Sequence, residues 1–283
     1  MFKNQYYYFV AGLPDFSFDS TKLPFTVSEF KGMLYEVLKP KDRKLIDKYF
    51  LEADKDNLLK LLANKDAEIK EHTSVFTRRE LLDSIASIKG ESVDSKTNIP
   101  NIFETFIKQW MKEEAETENK NWEDLITSLY MDYGADAENL LVSEWFNLNL
   151  NIGNTLAAIY SRKYGLNIKD VVVGDNHIAE TIRLNANLRD FGLEQELDYF
   201  ETLLRISEET DIYERERKID KFRWDWLEEN TVFDYFNVEY LFAYLCKLQI
   251  LERWVQLNAE EGERVFREVI ANMKKDVKIP DEE

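Results

Sequence analysis

Residues 234–263, DYFNVEYLFAYLCKLQILERWVQLNAEEGE, contain the longest dense apolar segment of the chain. From Tyr240 to Cys246 every side chain is apolar or aromatic, which predicts a helix enclosed by neighbouring elements on all sides. Beyond Cys246 polar residues appear, while apolar residues such as Leu248 and Leu251 recur at helical spacing. The stretch therefore predicts a central helix, buried at one end and amphipathic at the other, in an all-α, multi-helix protein.

The composition also favours helices and restricts the partners. The 283 residues include only nine Gly and five Pro, the residues that most disfavour helix interiors. This length is enough for one large domain or two modest ones. The net charge of −18 repels phosphate backbones and anionic lipids, so we expect neither nucleic-acid binding nor polybasic membrane anchoring. The charge favours solubility and a basic protein partner.

The single cysteine and the apolar runs indicate a cytoplasmic protein. Cys246 has no possible intramolecular disulfide partner and lies in the most apolar segment, so we expect it to be buried as a small hydrophobe. No run approaches the roughly 18 to 20 apolar residues that a membrane span needs. The apolar residues 6–13 are followed by Pro14 and Asp15 without a signal-peptide cleavage pattern. We expect no direct membrane insertion.

Local patterns predict where helices begin and how the chain divides. Thr26 with Glu29, and Thr77 with Glu80, have the spacing of capping boxes. Residues 91–101 form the clearest polar loop. The predicted division is a first helical unit with an N-terminal aromatic segment at 1–90, the loop at 91–101, a second unit at 102–165, a third unit at 166–275 and a disordered tail at 276–283.

A weak internal repeat accompanies this division. An aromatic pair at residues 49–50 precedes Asn57, and a second pair at residues 145–146 precedes Asn154; an apolar helical segment continues from each Asn. The pair at residues 235–236 gives a looser third copy. Our interpretation is that each aromatic pair closes one helix and that the Asn caps the next one after a short link. It predicts separate helices before and after Asn57, and before and after Asn154.

Three such units, ending in YLFAYLCKLQILERWVQLNAEEGE, resemble the central-stalk protein of V-type ATPases that is designated C, or d in eukaryotes. The closing segment of that family has a Tyr-rich helix, a Lys, and an acidic residue followed by an Arg-bearing turn; Tyr244, Lys247, Glu252 and Arg253 stand in those places. The opening YYYFVAGLPDF and the later KLPFTVSEF resemble a family of uncharacterised bacterial proteins found alongside V-type ATPase genes. This second resemblance covers most of the chain.

The resemblance to the V-type stalk protein implies a mechanical function without catalysis. It implies three pseudo-repeated helical units that form a funnel on the cytoplasmic face of the proteolipid ring and receive the end of the rotary shaft. The protein would then be peripheral to the membrane through its partner subunits. The residues expected to set helix registry or to contact neighbouring subunits are Tyr240, Tyr244, Lys247, Glu252 and Arg253.

Motifs for catalysis and cofactor binding are weak or missing in the sequence. There is no Gly-rich phosphate loop and no Gly-x-Ser-x-Gly. On helices, Glu68 with His72 and His177 with Glu180 would each share one face, the basis of an imagined dimetal site, but solvated surface pairs are the expected alternative. We also expect a solvated helix face for the acidic cluster Glu113, Glu114, Glu116 and Glu118.

We therefore predict no catalytic, cofactor-binding or metal-binding residues and no cofactor. Two other hypotheses remain: a free-standing helical scaffold or regulator, and a metal-dependent helical-bundle enzyme. Trp224 and Trp226, beside Arg223, provide either an exposed aromatic anchor for a partner or part of the core.

Overall fold

The computed structural model describes residues 6–90, 98–113 and 121–257, and within these ranges it contains helices and no strand. The predicted all-α class is confirmed. The twelve helices are α1 Tyr7–Ala11, α2 Val27–Val37, α3 Pro40–Ala63, α4 Arg78–Ile88, α5 Asn101–Glu113, α6 Trp122–Ala135, α7 Leu140–Tyr164, α8 Ile168–Val171, α9 His177–Leu184, α10 Phe200–Ser207, α11 Ile212–Asn230 and α12 Val238–Gln256.

Backbone contacts divide the chain into two compact units. Among the described residues, unit 1 includes those within Met1–Val37, Thr155–Val171 and Asn185–Glu283, and unit 2 includes those within Leu38–Asn154 and Val172–Leu184. The three-unit division stays a prediction. Most of the predicted 91–101 loop, the last part of the third unit and the tail at 276–283 lie outside the described residues.

Unit 1 is built around α12, as the apolar segment predicted. Residues 241–246 of this helix are all buried, and Cys246 is completely enclosed. The helix begins at Asn237, whose side-chain oxygen accepts a hydrogen bond from the backbone N–H of Tyr240. Helices α2 and α11 pack against α12. The expectation of a buried central helix with an enclosed cysteine is confirmed.

Both predicted capping boxes are present. The backbone N–H of Thr26 donates to the Glu29 carboxylate at 2.7 Å, and the backbone N–H of Glu29 donates to Thr26 Oγ1 at 3.1 Å. Thr77 and Glu80 make the same reciprocal pair at the start of α4. Each pair satisfies backbone donors that the first turn of a helix leaves free, so the starts of α2 and α4 follow directly from local sequence.

The predicted helix breaks near Asn57 and Asn154 are wrong. Helix α3 runs through the first position and α7 runs through the second without interruption. The two asparagines are buried inside these helices and cap nothing. Their polar side chains have another function, which explains why polar residues occur in the middle of two long helices.

Asn57 and Asn154 each bind both backbone groups of one residue in a downstream loop. Asn57 Nδ2 donates to the Lys70 carbonyl and its Oδ1 accepts from the Lys70 N–H, both at 2.9 Å. Asn154 makes the same two hydrogen bonds with Val173, both at 2.8 Å. A primary amide presents one donor and one acceptor side by side, so it can satisfy both backbone groups of a single residue. The internal repeat is therefore present in these two copies, for a different reason from the one predicted.

A second buried polar residue precedes each asparagine by three positions. The Asp54 carboxylate, which is 0% exposed, accepts from the backbone N–H groups of Val75 at 2.7 Å and Phe76 at 2.9 Å. Asn151 Oδ1 accepts from the side chain of Asn176 at 2.9 Å. We call these two pairs, Asp54 with Asn57 and Asn151 with Asn154, the helix–loop clamps. Each clamp lies in unit 2 and holds the loop that leads into a short helix, α4 or α9.

Candidate partner interface

The five residues predicted to contact neighbours all lie on α12, and the structure shows what each one touches in unit 1. Tyr244 is buried, and its hydroxyl donates to the Pro14 carbonyl at 2.8 Å. Tyr240 is half-buried, with its ring 6.3 Å from that of Tyr244. Lys247 Nζ lies 3.6 Å from the Glu228 carboxylate. Burial lowers the pKa of Lys247, and Glu228 partly offsets this effect.

Glu252 and Arg253 join α12 to its two neighbouring helices. Glu252 Oε1 accepts from the backbone N–H of Val27, the first residue of α2, at 3.1 Å. Arg253 donates through Nη1 to Asp220 at 3.0 Å and through Nη2 to Glu216 at 2.9 Å, both on α11. These contacts set the registry of α12 against α2 and α11. A contact of the same residues with a partner stays a prediction.

Asp220 is the centre of this charged group, and the sequence analysis missed it. Its side chain is 2% exposed as a residue and accepts three hydrogen bonds: from Arg223 Nη1 at 2.8 Å, from Arg253 Nη1 at 3.0 Å and from Trp254 Nε1 at 3.0 Å. The available indication was its position in a charged run, four residues before Trp224, which places both on one face of a helix. A single carboxylate on an otherwise apolar face predicts a buried, paired acid.

Replacing Tyr244 with Phe should change how stability depends on alkaline pH. Burial, and then Tyr240 and Asp15, raises the pKa of Tyr244 well above its ordinary value near 10. The native state keeps this proton above the ordinary pKa while the unfolded state loses it, so the wild-type protein loses stability as pH rises beyond about 10. Tyr244→Phe lacks this loss, although at neutral pH it lacks the Pro14 hydrogen bond, worth about 0.5–1.5 kcal/mol.

The check is urea unfolding of both proteins at neutral pH and at about pH 11, well above the ordinary tyrosine pKa. We expect Tyr244→Phe to be less stable than the wild type at neutral pH, and this deficit to shrink or reverse at the higher pH. A deficit that is the same at both pH values would contradict the assignment of a raised pKa to the buried phenol.

A set of exposed apolar side chains lies on α1 and on the turn between α11 and α12, both in unit 1. We call it the aromatic surface; its members are Tyr7, Tyr8, Val232, Phe233 and Tyr235. Tyr8 is 91% exposed, Phe233 87% and Tyr235 61%. Exposed apolar groups that lie together mark interaction sites more often than single ones do. The aromatic surface is therefore the strongest candidate for a partner interface among the described residues.

The two segments of the aromatic surface are fixed to one another through Phe236. The backbone N–H of Tyr6 donates to the Phe236 carbonyl at 3.0 Å, and the Tyr7 and Phe236 rings lie 4.7 Å apart. Tyr8 contacts Tyr7 edge-on at 5.5 Å, and Tyr235 lies 6.4 Å from Phe236. A surface held in this way is already arranged for binding, which lowers the entropy lost when a partner docks.

Comparison with protein families covers almost the whole chain, including both parts of this surface. Residues 3–277 match the family model described as Protein of unknown function, DUF2764. The chain is a member of the DUF2764 family. No curated protein and no solved structure matches this DUF2764 chain.

The other candidate sites of this DUF2764 protein differ from the sequence-based hypotheses. Glu68 and His72 lie in the loop between α3 and α4, so the prediction that they share a helical face is wrong. His177 begins α9, with Glu180 in its first turn. In the ranges 6–90, 98–113 and 121–257 no group of three or more His, Cys, Asp and Glu side chains could hold a metal ion.

Two further expectations concern aromatic and acidic residues. Trp224 is 2% exposed and contacts Phe16 and Phe18 edge-on, so the hypothesis that it is an exposed anchor is wrong and it belongs to the core. The side chains of the acidic cluster at residues 113–118 lie outside the described part of the chain. Among the helices that are described, none is both long enough and apolar enough to cross a membrane.

Proposed function

We propose that this DUF2764 protein is a non-catalytic central-stalk subunit of a V-type ATPase or ATP synthase, which couples the rotary shaft to the membrane proteolipid ring. The observation that carries the proposal is the aromatic surface, because exposed Tyr and Phe side chains held in a fixed arrangement are typical of protein docking sites. The resemblance of the closing segment to the V-type stalk protein supplies the identity of the complex.

The packing of unit 1 supports a mechanical function. A joint that transmits torque without covalent bonds needs elements that do not yield under load. Helix α12 is buried along most of its length and is tied to α2 through Glu252 and to α11 through Arg253. Ion pairs and hydrogen bonds that are partly buried resist sliding of one helix past another more strongly than exposed ones do.

The net charge of −18 supports a basic partner by electrostatic complementarity, as a basic shaft tip would provide. In this proposal the protein lies on the cytoplasmic face of the membrane and is held there by its partner subunits. The three-unit funnel belongs to the same proposal.

The experiment is affinity purification of the tagged, full-length protein from its native membranes in a mild detergent, followed by mass spectrometry. We expect the catalytic, shaft and proteolipid subunits of a V-type ATPase to be recovered in fixed proportion. An untagged strain carried through the same steps gives the background. A protein recovered alone, or with unrelated proteins, would overturn the stalk assignment and favour a free-standing scaffold.

A further inference from the structure

We infer that the aromatic surface binds an amphipathic α-helix of a partner protein, with an apolar stripe that packs on the exposed rings and with Lys or Arg residues at both sides of that stripe. This inference rests on the proposed function in one respect, namely that the protein works by binding another protein. It adds the chemistry of the partner segment and the place where that segment binds.

The apolar part of the inference comes from the exposed rings. A buried aromatic side chain removes about 150–250 Å² of surface from water, so Tyr8, Phe233 and Tyr235 together offer a contact area large enough to anchor one helix. The rings are ordered by the Tyr6–Phe236 backbone hydrogen bond before any partner arrives. An amphipathic helix binds such a surface by laying its apolar face on it.

The basic part of the inference comes from the charges of the two segments that form the surface. Residues 6–21 and 224–246 contain no Lys, Arg or His. They contain seven acidic residues, which are Asp15, Asp19, Asp225, Glu228, Glu229, Asp234 and Glu239. Glu229 is exposed beside the turn, and Glu228 is exposed although it also pairs with Lys247. A partner with cations at the edges of its apolar stripe meets these carboxylates, and a partner with anions is repelled.

The same charges argue against other occupants of the aromatic surface. A second copy of this chain would bring an identical set of carboxylates against the first, in a protein whose net charge is already −18. An anionic lipid surface or a nucleic acid would be repelled for the same reason. A basic amphipathic helix is the occupant that satisfies both the rings and the carboxylates.

The test uses the full-length protein and three fluorescently labelled helical peptides, with binding followed by anisotropy. The first peptide has a Leu stripe flanked by Lys and Arg. The second has the same stripe flanked by Glu, and the third keeps the Lys and Arg but has Gln in place of Leu. We expect the first peptide to bind at least about tenfold more tightly than the other two, since both stripe and cations are needed.

Two sets of substitutions locate the binding site. The triple variant Tyr8→Ala, Phe233→Ala, Tyr235→Ala should weaken binding of the first peptide by about tenfold or more. Tyr164→Ala, which removes a ring that is 52% exposed elsewhere in unit 1, is the matched control and should bind as the wild type does. Separately, Glu228→Gln with Glu229→Gln should weaken binding and reduce its dependence on salt. This second set keeps the rings intact, so it tests the inference even if the triple variant folds poorly.

Three results would overturn the inference. They are equal binding of the first and third peptides, unchanged binding by both sets of variants, and self-association of the wild type that the triple variant abolishes. Purification of V-type subunits with the triple variant as bait separates this inference from the proposed function. Full recovery of the subunits would refute the docking site and leave the stalk assignment intact. Peptide binding that depends on the surface, with no V-type subunits recovered by the wild type, would do the reverse.

Discussion

Replacing Asp220 with Ala should lower the free energy of unfolding by about 3–5 kcal/mol, the cost typical of breaking a buried ion pair by removing one partner. The substitution leaves the Arg253 guanidinium without one of its two carboxylates and the Trp254 indole N–H without its acceptor. Both groups lie where α11 meets α12, so water cannot replace the lost hydrogen bonds freely. Urea unfolding followed by circular dichroism measures the loss directly.

Asp225 is the matched control on the same helix. Its carboxylate pairs with Lys221 at the surface, where both side chains are nearly half exposed. Asp225→Ala should therefore change stability by less than about 1 kcal/mol. If Asp220→Ala were no more destabilising than Asp225→Ala, Asp220 would not be the acceptor that joins α11 to α12.

Replacing Gly134 with Ala should destabilise the protein by about 1–3 kcal/mol or more, as overpacking of a core does. Gly134 lies in α6, and a Cβ added there would be 2.0 Å from Cδ1 of the Phe146 ring. No real Cβ contact is that short, so the ring or the backbone of α6 must move. The Phe146 ring also packs edge-on against Tyr130, which limits its movement. Thermal or urea unfolding gives the loss.

Gly153 provides the opposite case for the same substitution. It lies inside α7, and a Cβ added there meets nothing within 4 Å. Gly153→Ala should therefore stabilise the protein by up to about 1 kcal/mol, because Ala loses less conformational entropy in a helix. Adding Phe146→Leu to Gly134→Ala should recover part of the lost stability. Equal effects of the two Gly→Ala substitutions would rule out close approach of Phe146 as the reason for the glycine.

The parts of the fold that were predicted correctly depend on local patterns. The burial of α12 follows from its apolar density, and the starts of α2 and α4 follow from capping residues three positions apart. The continuous helices α3 and α7 were missed because Asp54 and Asn57 look like the end of a helix when only their neighbours in sequence are considered. Their partners are backbone groups in a loop far along the chain, and no local pattern announces such a partner.

The candidate site shows the same limit. The sequence singled out Lys247, Glu252 and Arg253 because charges on an apolar helix are conspicuous. It could not show that Glu252 binds the start of α2 or that Arg253 binds Asp220. The aromatic surface was missed because residue type does not reveal exposure: the aromatic pair at residues 235–236 was interpreted as the end of a helix.

The helix–loop clamps have a consequence for how the length of this chain can vary. Irregular loops usually accept insertions and deletions. In the loop after α3, however, Lys70 is held at both of its backbone groups by Asn57, and Val75 and Phe76 are held by Asp54. The distance between these anchors is set by the rise of α3, so residues 70–77 have a fixed length. An added or deleted residue can be accommodated only in residues 64–69, and a loop of ordinary appearance is therefore as restricted in length as the helix beside it.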